Sequence, residues 1–276
     1  MRFGARLAAA VAARGPLCAG IDPHPGLLAS WELPVDVSGL ERFALGATEA
    51  IAGEVSVIKP QSAFFEAFGA AGIGVLERVV RLAKDAGALV LLDVKRGDIG
   101  STMGAYAAAY LADGAALEAD AITVSPYLGF GSLEPALERA AGGDKGLFVL
   151  ARTSNPEALS LQNALLSNGK TVAQGIVDAA ASANAGAEPF GNIGVVVGAT
   201  IDPGELDLSA LNGPVLAPGF GAQGATAEDL RKVFGEALTG VLPSSSRDIL
   251  KHGPGAEALR AAVKRTQASL TASALG

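Results

Sequence analysis

The sequence predicts an α/β fold, a closed (β/α)8 or TIM barrel formed by residues 1–276 as a single domain. Eight short apolar runs alternate with stretches of helical periodicity, and such alternation is typical of a parallel sheet. Several runs are continuously apolar, as expected for strands that are covered on both faces. The length of 276 residues suits a closed barrel, because such barrels typically use about 250 residues.

The eight strands are predicted from apolar runs that end at polar or turn-forming residues. They span Leu17–Ile21, Val55–Lys59, Ala88–Val94, Ala121–Ser125, Leu147–Arg152, Ile193–Gly198, Pro214–Ala217 and Thr239–Leu242. An amphipathic helix is predicted before the first strand. The clearest helices between the strands span Leu40–Ala52, Gly74–Ala86, Ile99–Leu117, Leu133–Ala141, Thr171–Gly186 and Thr226–Ala237. Thr226 is predicted to cap the last of these helices, because two acidic residues follow it in the first turn.

Composition narrows the functional classes. Half of the residues are hydrophobic and the formal net charge is −7, which argues against a general nucleic-acid-binding protein because such proteins need a basic face. The single cysteine, Cys18, lies in an apolar run and is predicted to be a small buried side chain in a protein of a reducing compartment, the cytoplasm. No run of 18 or more apolar residues is present, so we expect no membrane-spanning segment.

The most informative segment is Asp93-Val94-Lys95-Arg96-Gly97-Asp98, which directly follows the apolar run Ala88–Leu92. Alternation along a strand points Asp93 and Lys95 to the same face. Buried charges are costly unless they pair or take part in chemistry. Barrel enzymes hold their active sites at the carboxyl ends of the strands. We therefore predict an active site here.

Lys59 ends the second predicted strand and would join Asp93, Lys95 and Asp98 in a network of alternating charge. Such a network can keep all four groups ionised. It can also place a carboxylate against a negatively charged substrate group that the reaction removes. A neighbouring ammonium group can then deliver a proton to the carbanion that develops.

Other polar residues also follow predicted strands. Asp22 follows the first strand and Ser154 the fifth. Taken alone, each could be only a turn-forming residue. Because parallel strands bring their carboxyl ends to one rim of a barrel, the combined pattern favours a shared site.

A phosphate site is predicted after the seventh and eighth strands. The glycine-rich segment Gly219–Gly224 allows backbone N–H groups to approach an anion. Arg247, after the eighth strand, supplies a planar fork of donors for a phosphate group. The two histidines, His24 and His252, have no partner at metal-ligand spacing, and we predict no metal site.

From Phe3 to about Leu250 the sequence resembles the orotidine 5′-monophosphate decarboxylase family. The most specific element is Asp93-x-Lys95-x-x-Asp98, preceded by Lys59 at the end of a strand. The segment Pro218–Gly224 is similar to the phosphate loop of the family, and Leu150–Ser154 is similar to the segment that contacts the pyrimidine. The sequence of residues 94–102 is similar to that of the longer bacterial branch of the family.

The resemblance implies decarboxylation of orotidine 5′-monophosphate to uridine 5′-monophosphate, in pyrimidine biosynthesis and without a cofactor. It implies that Asp93 crowds the substrate carboxylate, that Lys95 protonates C6 of the pyrimidine, and that Lys59 positions Asp93 and touches the ribose. It also implies that Asp22 binds a ribose hydroxyl and that Ser154 binds the pyrimidine ring. The residues that it implies around the phosphate are Pro218, Gln223, Ser246 and Arg247.

The resemblance further implies a homodimer in which Asp98, Ile99 and Thr102 enter the site of the neighbouring subunit. Two positions depart from many relatives. Ser246 stands where a glycine often precedes the phosphate arginine, which affects the geometry of a backbone contact there. Gly97 stands where many relatives have a bulkier residue, which affects the flexibility of the loop.

Three other functions fit parts of the pattern. A magnesium-dependent aldol catalyst of the hexulose-phosphate synthase type shares the Asp-x-Lys-x-x-Asp motif, but Lys59 disfavours a nearby divalent cation. A Schiff-base aldolase would use Lys59 or Lys95 as a nucleophile, although flanking carboxylates favour the charged lysine. A nucleotide-binding barrel without catalysis would keep only the phosphate site.

Overall fold

Eight parallel strands form a closed barrel in sequence order, and the last strand pairs with the first. A computed structural model describes residues 1–221, 224–235 and 240–274, with side chains described through residue 270. The strands are β1 Cys18–Ile21, β2 Val57–Pro60, β3 Leu89–Arg96, β4 Ala121–Val124, β5 Gly146–Arg152, β6 Ile193–Val197, β7 Val215–Pro218 and β8 Val241–Ser245. This architecture confirms the predicted barrel.

Helices surround the barrel. In the described ranges they are α1 Phe3–Arg14, α2 Pro25–Ser30, α3 Val37–Ile51, α4 Ser62–Glu66, α5 Gly69–Asp85, α6 Gly100–Leu111, α7 Glu134–Ala141, α8 Leu159–Gln162, α9 Val172–Ala183, α10 Ala227–Phe234, α11 Arg247–Leu250 and α12 Ala256–Ala274. None of these helices is both long enough and apolar enough to cross a membrane.

The predicted helices are confirmed, with shifted ends. Thr226 caps α10 as predicted, since its side chain accepts a hydrogen bond from the backbone N–H of Asp229, and the Asp229 carboxylate accepts one from the backbone of Thr226. The predicted ends of this helix at Ala237 and of the eighth strand at Thr239 lie outside the described residues.

The prediction of a helix over Ile99–Leu117 is wrong at its carboxyl end. The helix stops at Leu111, because Ala112 is already extended. Gly114 then adopts a left-handed conformation with φ of +75°, and its N–H donates to Glu118 Oε2 at 2.8 Å. The glycine turn therefore ends the helix before the apolar periodicity runs out.

The longest helix, α12, was not predicted. Its buried side chains are Leu259, Ala262, Val263 and Leu270, which recur at the spacing of one helix face. This stripe is the signal in the sequence that would have revealed the helix.

The amino end of the barrel is closed by α1. Phe3 of this helix is buried against Phe148 of β5, with ring centroids 6.2 Å apart and an edge-to-face angle of 90°. Gly146 makes room for it, because a Cβ atom there would lie 2.3 Å from the Phe3 ring. This packing closes the amino end of the barrel, whereas a cavity opens at the carboxyl ends of the strands.

We predict that Phe3→Ala lowers the free energy of unfolding by about 3–5 kcal/mol, because it leaves a cavity against the Phe148 ring. Urea denaturation would measure the change. Phe3→Leu is the control and should lose clearly less, since it keeps an apolar side chain in place. An alanine variant as stable as the unchanged protein would contradict this role of α1.

Candidate active site

A cavity of about 370 Å³ opens at the carboxyl ends of the strands. It brings together eight of the residues predicted from the sequence. They are Asp22, Lys59, Asp93, Lys95, Ser154, Pro218, Ser246 and Arg247. The predicted phosphate residue Gln223 lies outside the described residues.

The carboxylate of Asp93 lines this cavity and accepts four hydrogen bonds. Oδ1 accepts from Lys95 Nζ at 2.6 Å and from Thr123 Oγ1 at 2.7 Å. Oδ2 accepts from Lys59 Nζ at 3.2 Å and from Gln61 Nε2 at 2.9 Å. Each oxygen therefore receives one ammonium donor and one neutral donor, which uses the full acceptor capacity of a carboxylate.

Burial and charge act against each other in this network. Burial opposes ionisation of Asp93, but the ammonium groups of Lys59 and Lys95 outweigh it and hold the pKa of Asp93 well below its ordinary value of 3.8. Burial likewise opposes the charge of Lys59, but the carboxylates of Asp93 and Asp22 raise the pKa of Lys59 above its ordinary value of 10.5.

The signs of these shifts define a pH window. A depressed carboxyl pKa contributes stability above the unfolded value, and this contribution is lost as the pH falls. A raised ammonium pKa contributes stability below the unfolded value, and this contribution is lost as the pH rises. The pair of Lys59 and Asp93 thus stays charged, and stabilising, between pH 3.8 and 10.5.

A β-bulge at the end of β3 sets the direction of these side chains. Leu92 pairs with Ile122, but the next pair joins Arg96 to Val124, so the bulge adds residues to β3. Within the bulge, Lys95 has φ of +46°, a left-handed conformation that is uncommon outside glycine. Bulges of this kind redirect side chains next to active sites.

Arg96 anchors the bulge to the surrounding helices. Its Nη2 donates to Glu66 Oε1 of α4 at 2.7 Å, and its Nε donates to the Tyr110 hydroxyl of α6 at 3.3 Å. The guanidinium carbon also lies 5.6 Å from the centroid of the Tyr106 ring. These contacts fix the residue that directly follows Lys95.

Gly97 is required by close packing. A Cβ atom at this position would lie 2.3 Å from the carbonyl oxygen of Ser125, which is far shorter than any normal contact. The glycine therefore lets the chain after β3 pass close to the chain after β4. Gly97 thus allows two backbones to approach closely. This role is more specific than the effect on loop flexibility that the sequence indicated.

Asp22 and Ser246 face each other across the join of β1 and β8. In the described part of the chain, Asp22 Oδ1 and Ser246 Oγ are buried without a hydrogen-bond partner. Gly20 lies between them, and a Cβ atom there would be 2.7 Å from Ser246 Cβ. Buried polar atoms normally have partners, so the Asp22 carboxylate is suited to accept from a ligand hydroxyl, and the Ser246 hydroxyl is suited to donate to an anionic ligand group.

The prediction that the eighth strand ends at Leu242 is wrong. The strand continues to Ser245, because Ser244 and Ser245 pair with Cys18 and Ala19 of β1. Ser246 is then the residue before α11, and Arg247 is the first residue of that helix. Ser244, which lines the cavity, therefore belongs to the barrel wall.

The end of the cavity that the sequence predicts to bind phosphate is formed by Pro218, Gly219, Phe220 and Arg247. Gly219 and Gly221 have φ of +108° and +75°, which glycine adopts without strain. Arg247 is exposed and, among the described residues, forms no ion pair, so its guanidinium is available to an anion. On the other side of the cavity, Ser154 packs at 3.1 Å from the position of a Cβ on Gly198.

Asp98, Ile99 and Thr102 do not join the charged network of their own chain. Asp98 lies beyond the end of β3 and its Oδ1 accepts from the backbone N–H of Ile99 at 2.8 Å. The side chain of Ile99 is 62% exposed, and Thr102 is exposed on the first turn of α6. The predicted network of four therefore contains three of its members within one chain.

Thr123 and Gln61 are site residues that sequence reasoning missed. Gln61 follows Lys59 by two residues and faces the same way, and Thr123 is the polar residue within the apolar run of β4. The direction of each side chain could have been read from strand alternation. Their contact with Asp93 could not, because it depends on the packing of three strands.

Cys18 is a buried side chain, as predicted, and His24 has a structural role. His24 Nδ1 accepts from the backbone N–H of Gly26 at 3.0 Å and caps α2. Cys18 is fully buried beneath the cavity, and burial raises the pKa of its thiol to about 12. Over the residues that the structure describes, no three His, Cys, Asp or Glu side chains converge to hold a metal ion.

A barrel with a charged cavity at the carboxyl ends of its strands has the architecture of a TIM-barrel enzyme. A model of the orotidine 5′-phosphate decarboxylase / HUMPS family matches residues 15–262. The chain is 59% identical to an orotidine 5′-phosphate decarboxylase of Salinispora arenicola. The match extends over 274 residues and covers 99% of each of the two chains. The protein therefore belongs to the orotidine 5′-phosphate decarboxylase / HUMPS family, as the resemblance indicated.

Solved structures agree with this assignment. A crystal structure from Streptomyces avermitilis, described as an orotidine 5′-phosphate decarboxylase, has a TM-score of 0.97 and 54% identity, and the match covers 100% of this chain and 96% of that chain. The OMP decarboxylase of Leishmania donovani has a TM-score of 0.78 and 31% identity, with 100% of both chains covered.

We predict that Gly97→Ala lowers the free energy of unfolding by about 1–3 kcal/mol, because its Cβ must displace the backbone at Ser125. The matched control is Gly104→Ala in α6, where the nearest atom to a Cβ is Pro135 Cβ at 3.9 Å. That control should gain up to about 1 kcal/mol from helix propensity. Equal denaturation midpoints for the two variants would contradict the close approach at Gly97.

Proposed function

We propose that this protein converts orotidine 5′-monophosphate to uridine 5′-monophosphate and carbon dioxide without a cofactor. The observation that carries the proposal is the Asp93 carboxylate, held ionised between two ammonium groups in the cavity. Membership of the decarboxylase family supports the same reaction. We also propose that residues 1–276 form one domain and that the protein is cytoplasmic, which the buried, unpaired Cys18 fits.

In the proposed reaction, the substrate carboxylate lies beside Asp93. Because Lys59 and Lys95 keep Asp93 ionised, it cannot take up a proton to relieve the repulsion between the two negative charges. Departure of carbon dioxide breaks the bond to C6 and leaves the electron pair on that carbon. The ammonium group of Lys95, with 47% of its side chain exposed, stabilises this charge and donates the proton that forms the product.

The rest of the cavity is proposed to bind the nucleotide. Asp22 and Lys59 would bind ribose hydroxyls, which supplies the partner that Asp22 Oδ1 lacks. Ser154 would bind the pyrimidine. The phosphate would be held by Pro218, Gln223, Ser246 and Arg247. Binding energy from this remote phosphate can be used to stabilise the transition state.

The contacts disfavour the two aldolase alternatives. A magnesium ion on Asp93 would have to displace the ammonium groups of Lys59 and Lys95, which already donate to both of its oxygens. A Schiff base needs a neutral amine, and the raised pKa of Lys59 keeps it charged. The decarboxylase therefore accounts for the network better than either alternative.

We propose that the active protein is a homodimer in which Asp98, Ile99 and Thr102 enter the neighbouring site. Ile99 is an exposed apolar residue at the rim, and Asp98 makes no contact with the charged network of its own chain. The adjacent rim after β4 exposes Tyr127 to 77%. Apolar side chains on the rim of a cavity favour burial against a partner.

We predict that the protein converts orotidine 5′-monophosphate with and without EDTA, and that Lys95→Ala lowers kcat by at least about 1000-fold, because the proton donor is lost. Ultraviolet absorbance would follow the conversion. Lys264→Ala is the control, since it removes an exposed lysine of α12 far from the cavity.

Three outcomes would overturn parts of this proposal. A folded protein that leaves the substrate unchanged would overturn the decarboxylase function, and loss of activity in EDTA would favour the magnesium-dependent alternative. A Lys95→Ala variant with unchanged kcat would overturn Lys95 as the proton donor. Circular dichroism of the variant would show that its fold is intact.

We predict that mixing inactive Lys95→Ala subunits with inactive Asp98→Ala subunits restores activity. In a mixed dimer, the site with an intact Lys95 would receive the intact Asp98 of the other subunit. Random pairing places one complete site in half of the dimers, so about a quarter of full activity should return. If Asp98 acted within its own chain, neither site of the mixed dimer would be complete and no activity would return.

A further inference from the structure

The hydroxyl of Thr123 connects the backbone of Lys95 to the carboxylate of Asp93. Its Oγ1 accepts from the Lys95 backbone N–H at 2.9 Å and donates to Asp93 Oδ1 at 2.7 Å. Thr123 is buried within β4, with 1% of its surface exposed. Strand β4 therefore holds both ends of the Asp93–Lys95 segment through one oxygen atom.

The chemistry of the three groups fixes the direction of both hydrogen bonds. A backbone N–H can only donate, and an ionised carboxylate can only accept. The single hydroxyl proton must therefore point to Asp93, and an oxygen lone pair must face Lys95. A side chain without a hydroxyl in this place would leave the Lys95 N–H and one Asp93 acceptor site without partners.

The Lys95 backbone is the part of the network that most needs such a contact. With φ of +46°, it has a conformation that persists only where surrounding contacts hold it. The Lys95 side chain leaves the strand from this residue, so a change in its backbone moves Nζ. The same Nζ lies 2.6 Å from Asp93 Oδ1, the oxygen that Thr123 also contacts.

We propose that Thr123 is a positioning residue that fixes the Lys95 ammonium group relative to Asp93 and so determines kcat rather than nucleotide affinity. This inference rests on the proposed decarboxylase function. Gln61 also contacts Asp93, through Oδ2, but it does not contact the Lys95 backbone. Thr123 is thus the residue that couples the proton donor to the carboxylate.

The decisive variant is Thr123→Val, which keeps the shape of the side chain and removes the hydroxyl. We expect kcat to fall by about 10- to 100-fold, since a hydrogen bond to a charged group is lost. We expect KM, and the Kd for uridine 5′-monophosphate measured by calorimetry, to stay near their unchanged values. Thr123→Ser, which restores the hydroxyl, should recover most of the lost kcat.

Thr48→Val is the matched control, because it removes another buried threonine hydroxyl, one that donates to Ala44 O in α3. It should leave kcat unchanged. A Thr123→Val variant with the kcat of the unchanged protein would overturn the positioning role. A loss of kcat that is matched by an equal loss of nucleotide affinity would also overturn this role. A loss of kcat that Thr123→Ser does not recover would overturn it as well.

Two further outcomes separate this inference from the proposed function. If the unchanged protein does not convert orotidine 5′-monophosphate, both are overturned. If it does and Thr123→Val is equally fast, only the role of Thr123 is overturned. If Thr123→Val does not fold, Thr123→Ala removes the same hydroxyl without placing a methyl group against polar atoms, and the same criteria apply.

Discussion

The buried carboxylate of Asp93 is the group on which the arrangement of the cavity depends. An ionised carboxylate in a barrel interior is costly unless charged and neutral donors surround it. Two of its partners are Lys59 on β2 and Gln61, which directly follows β2. The other two are Thr123 on β4 and Lys95 on β3. The need to satisfy one charge therefore aligns three neighbouring strands, and the same contacts place the groups that the proposed reaction uses.

Strand β3, which carries Asp93 and Lys95, departs from regular strand geometry. A regular β3 would keep even pairing with β4, whereas the bulge shifts the register and puts Lys95 in a left-handed conformation. The ion pair of Arg96 with Glu66, its ring contacts and the close approach at Gly97 hold the bulge from the outside. Thr123 holds it from the inside. Backbone strain of this kind is common at functional sites, where surrounding contacts compensate for it.

The sequence predicted the parts of the site that depend on local pattern. Apolar runs identified the eight strands, and strand alternation identified Asp93 and Lys95 as neighbours on one face. It did not predict the bulge or the contact of Thr123, because both depend on how strands distant in sequence pack together. The end of α6 was missed for a different reason, since a glycine turn overrode an apolar periodicity that continued to Leu117.

Ser246, which stands where many relatives have a glycine, depends on packing that the sequence pattern does not reveal. The register of β1 against β8 pairs Ala19 with Ser245, which brings Gly20 opposite Ser246. Gly20 has no side chain, and a Cβ there would collide with Ser246 Cβ at 2.7 Å. The hydroxyl at position 246 is thus accommodated by a residue more than two hundred positions away. Because the same gap keeps Ser246 Oγ and Asp22 Oδ1 beside the cavity, a side chain at Gly20 would disturb the proposed ribose and phosphate contacts together.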